Sequence, residues 1–302
     1  MLSPSSRPVV ASAAAIALAA GLAACSGSGA SAVAPAVLGP ASDGDQTGSA
    51  RFALGFIPAD PADIARMAHI RRTLALVALP SSVDLSPKMP AVGNQGQEGS
   101  CVAWASAYAM RGYEARRDVW SSVEPQTTNP AYNFSASFIY NQVNGGRDDG
   151  STIPAALSLM ETKGTATLAD MPYVAGSYMT QPSSAALSDA ANYKLASYGY
   201  IAPTDLTSIK TQLAAGLPVV VAIKVYRNLF SLGYNKIYTG IGGTYEGGHA
   251  VAIVGYNNSK SAVEIINSWG PYWSTGGYGW ISYAALSKIA VEAYSAIDTN
   301  GR

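Results

Sequence analysis

The residues able to do covalent chemistry are few. In 302 residues there are two cysteines, Cys25 and Cys101, and two histidines, His69 and His249. Cys101 ends the run Asn94-Gln95-Gly96-Gln97-Glu98-Gly99-Ser100-Cys101 and precedes an alanine-rich stretch in which Val102, Ala105, Ala109 and Tyr113 recur at helical spacing. The thiol therefore sits at or near a helix N-terminus, where free N–H groups and partial positive charge favour thiolate. An imidazolium partner lowers the thiol pKa further, and a lone thiol with an imidazole is what nucleophilic thiol catalysis needs. His249 supplies that ring, and in Gly247-Gly248-His249-Ala250-Val251 its glycine neighbours let a substrate backbone and a thiol come close. His69 lies among Arg71 and Arg72 and reads as a solvated surface histidine.

Two further residues complete the chemistry. Asn267, in Asn267-Ser268-Trp269-Gly270, can accept a hydrogen bond from one ring nitrogen and so aim the other at sulfur. Trp269, two positions on, could shield that bond from water. Attack on a carbonyl builds charge on oxygen, which needs aimed donors. The Cys101 backbone N–H is one, and the Gln95 side-chain amide, six residues earlier, is another.

The elements that must position these residues change character along the chain. Asp60-Pro61 caps a helix carrying Ile64, Met67 and Ala68 that is expected to end near Leu76. Further helices are expected behind Cys101, around Phe138-Ile139-Tyr140, over Ser151–Lys163 and over Thr204–Ala215. From Pro218 the period becomes strand-like, with β runs at Pro218–Val225, Ala250–Tyr256, Ala262–Ile266 and Tyr278–Tyr283. A helix-rich half followed by a strand-rich half makes the fold class α+β with two lobes.

Ahead of this domain the chain is a targeting segment and a tether. Val9–Ala20 is almost wholly apolar, too short for a transmembrane helix, and leads to Leu22-Ala23-Ala24-Cys25. This resembles a bacterial lipoprotein signal over residues 1–24, with an ordinary secretory signal as the alternative. Cys25 is then the lipidation site, acylated as the mature N-terminus and anchored in a lipid bilayer. With Ser26 rather than Asp following, the expected place is the cell envelope, at the outer membrane if the source has two membranes. Residues 25–50, rich in Ser, Gly and Ala, read as a flexible tether. Residues 51–78 are either a short inhibitory segment or a permanent brace, and the catalytic-looking domain is assigned to 79–302.

Other functions are excluded by what is missing. The formal charge is +0 with no basic block, so no nucleic-acid partner is expected. There is no G-x-S-x-G elbow, H-E-x-x-H helix, P-loop or dinucleotide fingerprint, and two cysteines with two histidines do not make a zinc cluster. No metal or cofactor is expected.

The motifs together resemble the papain family of cysteine peptidases, over roughly Leu79 to Tyr283. Asn94-Gln95-Gly96, Gly99-Ser100-Cys101, His249-Ala250-Val251 with Val254-Gly255-Tyr256, Asn267-Ser268-Trp269-Gly270 and Gly277-Tyr278-Gly279 occur in that order. His249 follows Cys101 by 148 positions, within the window of about 130–150 for this family. The resemblance implies a papain-like fold, with a helical left lobe and an antiparallel, β-barrel-like right lobe. It makes Cys101 nucleophile, His249 acid and base, Asn267 orienter and Gln95 oxyanion donor. It also suggests Gly145, Gly146, Gly150, Ser151, Gly248 and Trp269 as substrate-binding residues, with plain loop as the alternative for the Gly145-Gly146 and Gly150-Ser151 stretches.

Two positions depart from the family pattern. Glu98 stands where relatives place a disulfide-forming cysteine, so the lobes are expected to be held by packing alone. Its charge could raise the thiol pKa or favour basic substrates. Val102 stands where a tryptophan commonly follows the nucleophile. The expected activity is a peptidase, most simply an endopeptidase, acting on a polypeptide as a monomer. The alternatives are a cell-wall peptide hydrolase or transpeptidase, and a catalytically silent binding lipoprotein.

Overall fold

The computed structural model describes residues 52–70 and 78–299. The signal, the tether and Cys25 lie outside the described residues, as do 71–77 of the proposed brace. In chain order the elements are α1 (Pro61–Arg66), β1 (Ser82–Asp84), and a long helix that begins at the nucleophile. That helix passes from α2 (Cys101–Ala103) through a π-helical stretch (Trp104–Arg111) into α3 (Gly112–Asp118). Then come α4 (Ala136–Val143), α5 (Ile153–Thr162), α6 (Ser184–Ala190), β2 (Leu195–Ile201), α7 (Leu206–Ala214) and β3 (Val219–Tyr226). The chain continues through α8 (Arg227–Phe230), β4 (Ile237–Tyr238), β5 (Tyr245–Asn257), β6 (Ala262–Ile266), β7 (Tyr278–Ser282), α9 (Tyr283–Ile289) and β8 (Ala290–Asp298).

The strands form one eight-stranded sheet in the order β2-β8-β3-β5-β6-β7-β4, with β1 also paired to β5. Every pairing is antiparallel except β4 with β7. β3 shows why its sequence is a nearly continuous apolar run rather than an alternating one. Val219, Val221, Ile223 and Val225 enter a core shared with Ile209 and Leu213 of α7 and Leu286 and Ile289 of α9. Val220 and Ala222 point the other way, into a core made with Phe138 of α4, Ile153 and Leu157 of α5, and the Cys101 helix. The sheet is thus buried on both faces, and its central strands have no polar side to show. The second of these cores is the helical lobe, and the nucleophile belongs to it.

Local chemistry sets the helix starts. Asp60 accepts the Ala62 N–H, Thr152 the Ala155 N–H and Asp205 the Ser208 N–H, at 2.7, 3.2 and 3.0 Å. Each fills one of the orphan donors at a helix N-terminus. α1 is shorter than its sequence suggests. It ends at Arg66 instead of reaching Leu76, because Met67 turns extended and the chain then pairs with β2. The Ile70 N–H donates to Tyr200 O and the Tyr200 N–H to Ala68 O, so sheet pairing overrides a weak helical propensity.

One ion pair fastens the Cys101 helix to the last strand. Arg111 Nη1 lies 2.8 Å from Asp298 Oδ2, with both side chains fully buried and Glu114 4.0 Å from the same nitrogen. Removing one partner of such a pair strands a charge, which costs about 3–5 kcal/mol, whereas replacing both by apolar groups does not. Asp298→Ala is therefore expected to lower stability by about 3–5 kcal/mol in urea unfolding. The double replacement Arg111→Met, Asp298→Leu is expected to recover most of that loss.

Candidate active site

The nucleophile reaches the imidazole because a helix end is set against the middle of a strand. Ser100 precedes α2 without a side-chain cap, so the first N–H groups of the helix remain free around Cys101. The Ala250 N–H of β5 donates to Cys101 Sγ at 3.4 Å, which holds the sulfur against the residue that follows His249 in the strand. His249 and Asn267 are brought together by the β5–β6 ladder. Ala252 pairs with Ile266, so Asn267 follows the end of β6 on the side of the strand that holds His249.

Hydrogen bonding assigns the ring nitrogens. Asn267 Oδ1 lies 2.8 Å from His249 Nε2 and also accepts the Ser268 N–H at 2.8 Å. An oxygen that accepts from a backbone N–H fixes the amide orientation, so Nε2 carries the proton and donates to it. Nδ1 is left with its lone pair and, among the described residues, no hydrogen-bond partner. It is the ring nitrogen left available as a base. Trp269 stacks on the imidazole with centroids 4.5 Å apart and planes 22° apart, keeping water from the Nε2–Oδ1 bond.

The oxyanion side is built by zipping one loop onto another. Asn94 bridges Trp269, the Gln95 N–H donates to Ser268 O at 2.8 Å, and the Gly270 N–H donates to Gly93 O at 3.0 Å. Gly93 allows this approach, since a Cβ there would fall 2.0 Å from the Trp104 ring. The Ser268 hydroxyl donates to Gln95 Oε1 at 2.6 Å, and Gln95 Nε2 donates to Glu98 O at 2.9 Å. One amide hydrogen of Gln95 is thus spent on the loop and the other is free for an oxyanion. Ser268 is a functional residue that the sequence reading quoted without giving it a task. Its pairing with Gln95, 173 positions away, leaves no local signal.

The groove is not empty of chain. Residues 52–59 form a strap across it, touching both lobes. Phe52 stacks on Trp269 at 4.8 Å and 10°, and Trp269 Nε1 donates to Ala53 O at 3.2 Å. The Phe56 N–H donates to Gly248 O at 3.2 Å; Ser151 accepts from Ile57 and donates to Gly55 O at 3.0 and 2.9 Å. Beyond that, the Ala59 N–H donates to Glu292 Oε1 at 2.8 Å. Gly55 makes the tightest approach, since a Cβ on it would lie 2.0 Å from Gly99 O, and one on Gly150 would lie 2.1 Å from Gly55 O. Gly150, Ser151, Gly248 and Trp269 therefore line the occupied groove. Gly145 and Gly146 do not belong with them. They form an exposed turn at φ +66° and +78°, with the Gly146 N–H on Asn144 Oδ1, and an added Cβ on either would meet nothing within 4 Å. Their glycines serve the left-handed turn, not close approach of a ligand.

Under the strap, Cys101 and His249 are both fully inaccessible. The helix terminus was expected to lower the thiol pKa, but burial pushes it up to about 12 and pulls the imidazole down to about 4 against its bond to Asn267. Desolvation disfavours whichever form is charged, so the covered pair is neutral thiol and neutral imidazole. Glu98 contributes to neither shift. It is buried, accepts the Gly176 N–H at 2.8 Å, and is itself pushed up first by desolvation. It therefore does not line the groove for basic substrates. Nor is the missing disulfide replaced by packing alone, because Asp148 Oδ1 accepts both the Gly99 N–H at 2.8 Å and the Tyr140 hydroxyl at 2.6 Å. Among the described residues, no group of three or more His, Cys, Asp or Glu could hold a metal.

A thiol at a helix N-terminus, an Asn-oriented imidazole on a strand and a glutamine-bearing oxyanion loop define a cysteine-peptidase site of the two-lobed kind. Residues 79–297 match the papain family cysteine protease domain, and the chain belongs to that family. It is 31% identical over 221 residues to Gamete and mating-type specific protein A of Dictyostelium discoideum, covering 71% of this chain and 45% of that protein. Cathepsin B-like CP3 of Giardia intestinalis is 30% identical over 250 residues, covering 78% of each chain. Among solved structures, xylellain, a cysteine protease from Xylella fastidiosa, superposes with a TM-score of 0.68 at 28% identity. That alignment covers 83% of this chain and 99% of that one.

The strap makes a direct prediction. Gly55→Val forces branched carbons against Gly99 O, and overpacking of this kind costs about 1–3 kcal/mol. The covered state loses that much, so iodoacetamide labelling of Cys101 in the full-length variant is expected to run roughly 5- to 150-fold faster than in wild type. Mass spectrometry of the labelled cysteine peptide measures it.

Proposed function

We propose that this chain is an endopeptidase that works through a Cys101 acyl-enzyme and is stored with its groove covered by residues 52–59. With the strap displaced, His249 Nδ1 takes the thiol proton and Cys101 Sγ attacks the scissile carbonyl. The free Gln95 amide hydrogen and the Cys101 backbone N–H receive the oxyanion. The imidazolium then protonates the leaving amine, and water resolves the thioester with the same ring as base. The observation that carries this reading is that residues 52–59 lie as extended peptide, main chain to main chain, on Ser151 and on Gly248, the residue next to His249. The strap runs from Phe52 on Trp269 to Ala59 on Glu292, and a surface that takes eight residues of continuing chain suits internal cleavage better than trimming of termini.

The strap supports latency over a purely bracing role. A brace has no need to bury the nucleophile, whereas the covered thiol is fully inaccessible and held uncharged. Upstream, the reading of Cys25 as an acylated anchor favours a lipid-anchored enzyme of the bacterial cell envelope, at the outer membrane if the source has two membranes, with residues 25–50 as tether. Each buried CH₂ of an acyl chain contributes about 0.8 kcal/mol, so two or more chains hold the protein stably.

Two experiments test these readings. Incubation of denatured protein with the full-length Gly55→Val variant, whose strap is loosened, is expected to give internal fragments by mass spectrometry, and the same variant carrying Cys101→Ala none; fragments from both, or from neither, would refute the thiol mechanism. In a bacterial host that processes lipoproteins, Cys25→Ser is expected to move the protein from the membrane to the soluble fraction, and an unchanged distribution would remove the anchor.

A further inference from the structure

We propose that Tyr173 is a positioning residue for the oxyanion hole, acting through Gln95; this rests on the peptidase reading above. Its phenol donates to the main-chain oxygen of Gln95 at 2.8 Å and lies 2.8 Å from Ser100 Oγ. The single phenolic proton goes to Gln95, so the Ser100 hydroxyl donates to Tyr173. These two residues bracket the loop whose ends supply the oxyanion donors: the Gln95 side chain at one end and, just past Ser100, the Cys101 N–H at the other. Three residues beyond Tyr173, the Gly176 N–H donates to Glu98 Oε2 at 2.8 Å and pins the middle of the same loop. The segment 173–176 therefore grips the oxyanion loop at its start, centre and end.

The grip is suited to positioning. Inside the loop, Gln95 O receives only a long bond of 3.4 Å from the Glu98 N–H, so the phenol is its short, strong partner. The tyrosine ring is itself fixed, edge-on to Trp104 at 4.8 Å and 72°, and Trp104 lies one turn along from Cys101. Burial pushes the phenol pKa up, so the hydroxyl remains a donor at any working pH. Without that donor, the Gln95 carbonyl is free to rotate away and takes the side-chain amide out of line. Oxyanion donors act within a few tenths of an ångström, so such a rotation is felt in the transition state and not in substrate binding.

The test is a double-mutant cycle on the full-length chain, under conditions where wild type turns over a peptide. Tyr173→Phe keeps the ring and loses the hydroxyl. It is expected to lower kcat about 5- to 30-fold, the equivalent of one or two hydrogen bonds, with KM unchanged. In a Gln95→Ala background, where the amide is already absent, the same substitution is expected to change kcat by less than about twofold. Iodoacetamide alkylation of Cys101, which builds no oxyanion, is expected to proceed equally in wild type and Tyr173→Phe. Ser100→Ala, which frees the phenol from the other side, is expected to give a smaller loss of the same kind. An equal loss of kcat in both Gln95 backgrounds, or a parallel loss of alkylation, would reduce Tyr173 to a structural residue. An active wild type with an unaffected Tyr173→Phe sinks this inference alone, whereas a chain that stays inactive even with its strap loosened by Gly55→Val sinks the peptidase reading and this inference with it.

Discussion

The sulfur and the imidazole come from different layers of the molecule, and the architecture depends on holding the N-terminus of one helix against the middle of one strand. The single N–H of Ala250 on Cys101 Sγ marks that contact. Two features far from it keep it in register. On the buried face, Val220, Ala222 and Ala250 present small side chains to the Cys101 helix, so the backbone of the sheet and the helix approach closely. At the groove, the 93–95 loop zips onto 268–270 and carries Gln95 to the same point. A helical layer and a sheet meet along one line: Cys101 and His249 sit on a helix and a strand, while Gln95 and Asn267 sit on loops that backbone bonds tie together.

That junction has opposite electrical consequences when covered and when open. A helix N-terminus favours a thiolate only where the thiolate's remaining charge can be solvated or paired. Under residues 52–59 both groups are fully buried, and desolvation outweighs the helix: the thiol rises to about 12 while the imidazole falls to about 4. Both shifts have the same origin and the same sense, since each keeps its group uncharged. The strap therefore does more than block access. It removes the medium that the ion pair needs, so the nucleophile is chemically quiet as well as sterically shielded.

The sequence made the catalytic residues legible because each lies in a short motif whose chemistry is local: a thiol before a helix, an imidazole between glycines and a small strand, an amide in a turn. Strands β3, β5, β6 and β7 were legible for a similar reason, as β-branched runs bounded by turns. What stayed hidden depends on distant pairing. β2 alternates poorly, and β8 follows α9 without a turn signal, so each is defined mainly by its partner in the sheet. The end of α1 at Arg66 is set by Tyr200, and the tasks of Ser268 and Tyr173 are set by Gln95. The place of residues 52–59 is hidden in the same way, because nothing in Phe52–Ala59 reveals that its carbonyls and amides meet Gly248 and Ser151. Gly145-Gly146 is ambiguous for the converse reason: a glycine pair has the same appearance in a turn as beside a ligand.

Glu98, where relatives place a cysteine, bears on how the site keeps its single thiol available. A disulfide three residues from a nucleophilic thiol is a potential exchange partner, because thiolate attack on a neighbouring disulfide needs only access and a thiolate. Here the loop is secured instead by oxygen chemistry. Asp148 accepts from Gly99 and Tyr140, and Glu98 accepts from Gly176, with the carboxylates buried or half-buried where hydrogen bonds to charge are strong. Cys101 is thereby the one free cysteine among the described residues, with no neighbouring sulfur to trap it. The cost is a buried carboxylate, Glu98, with one oxygen unpartnered and its pKa raised. That is a modest strain for a loop that must hold an oxyanion donor in place, and it leaves the single thiol free for chemistry with substrate alone.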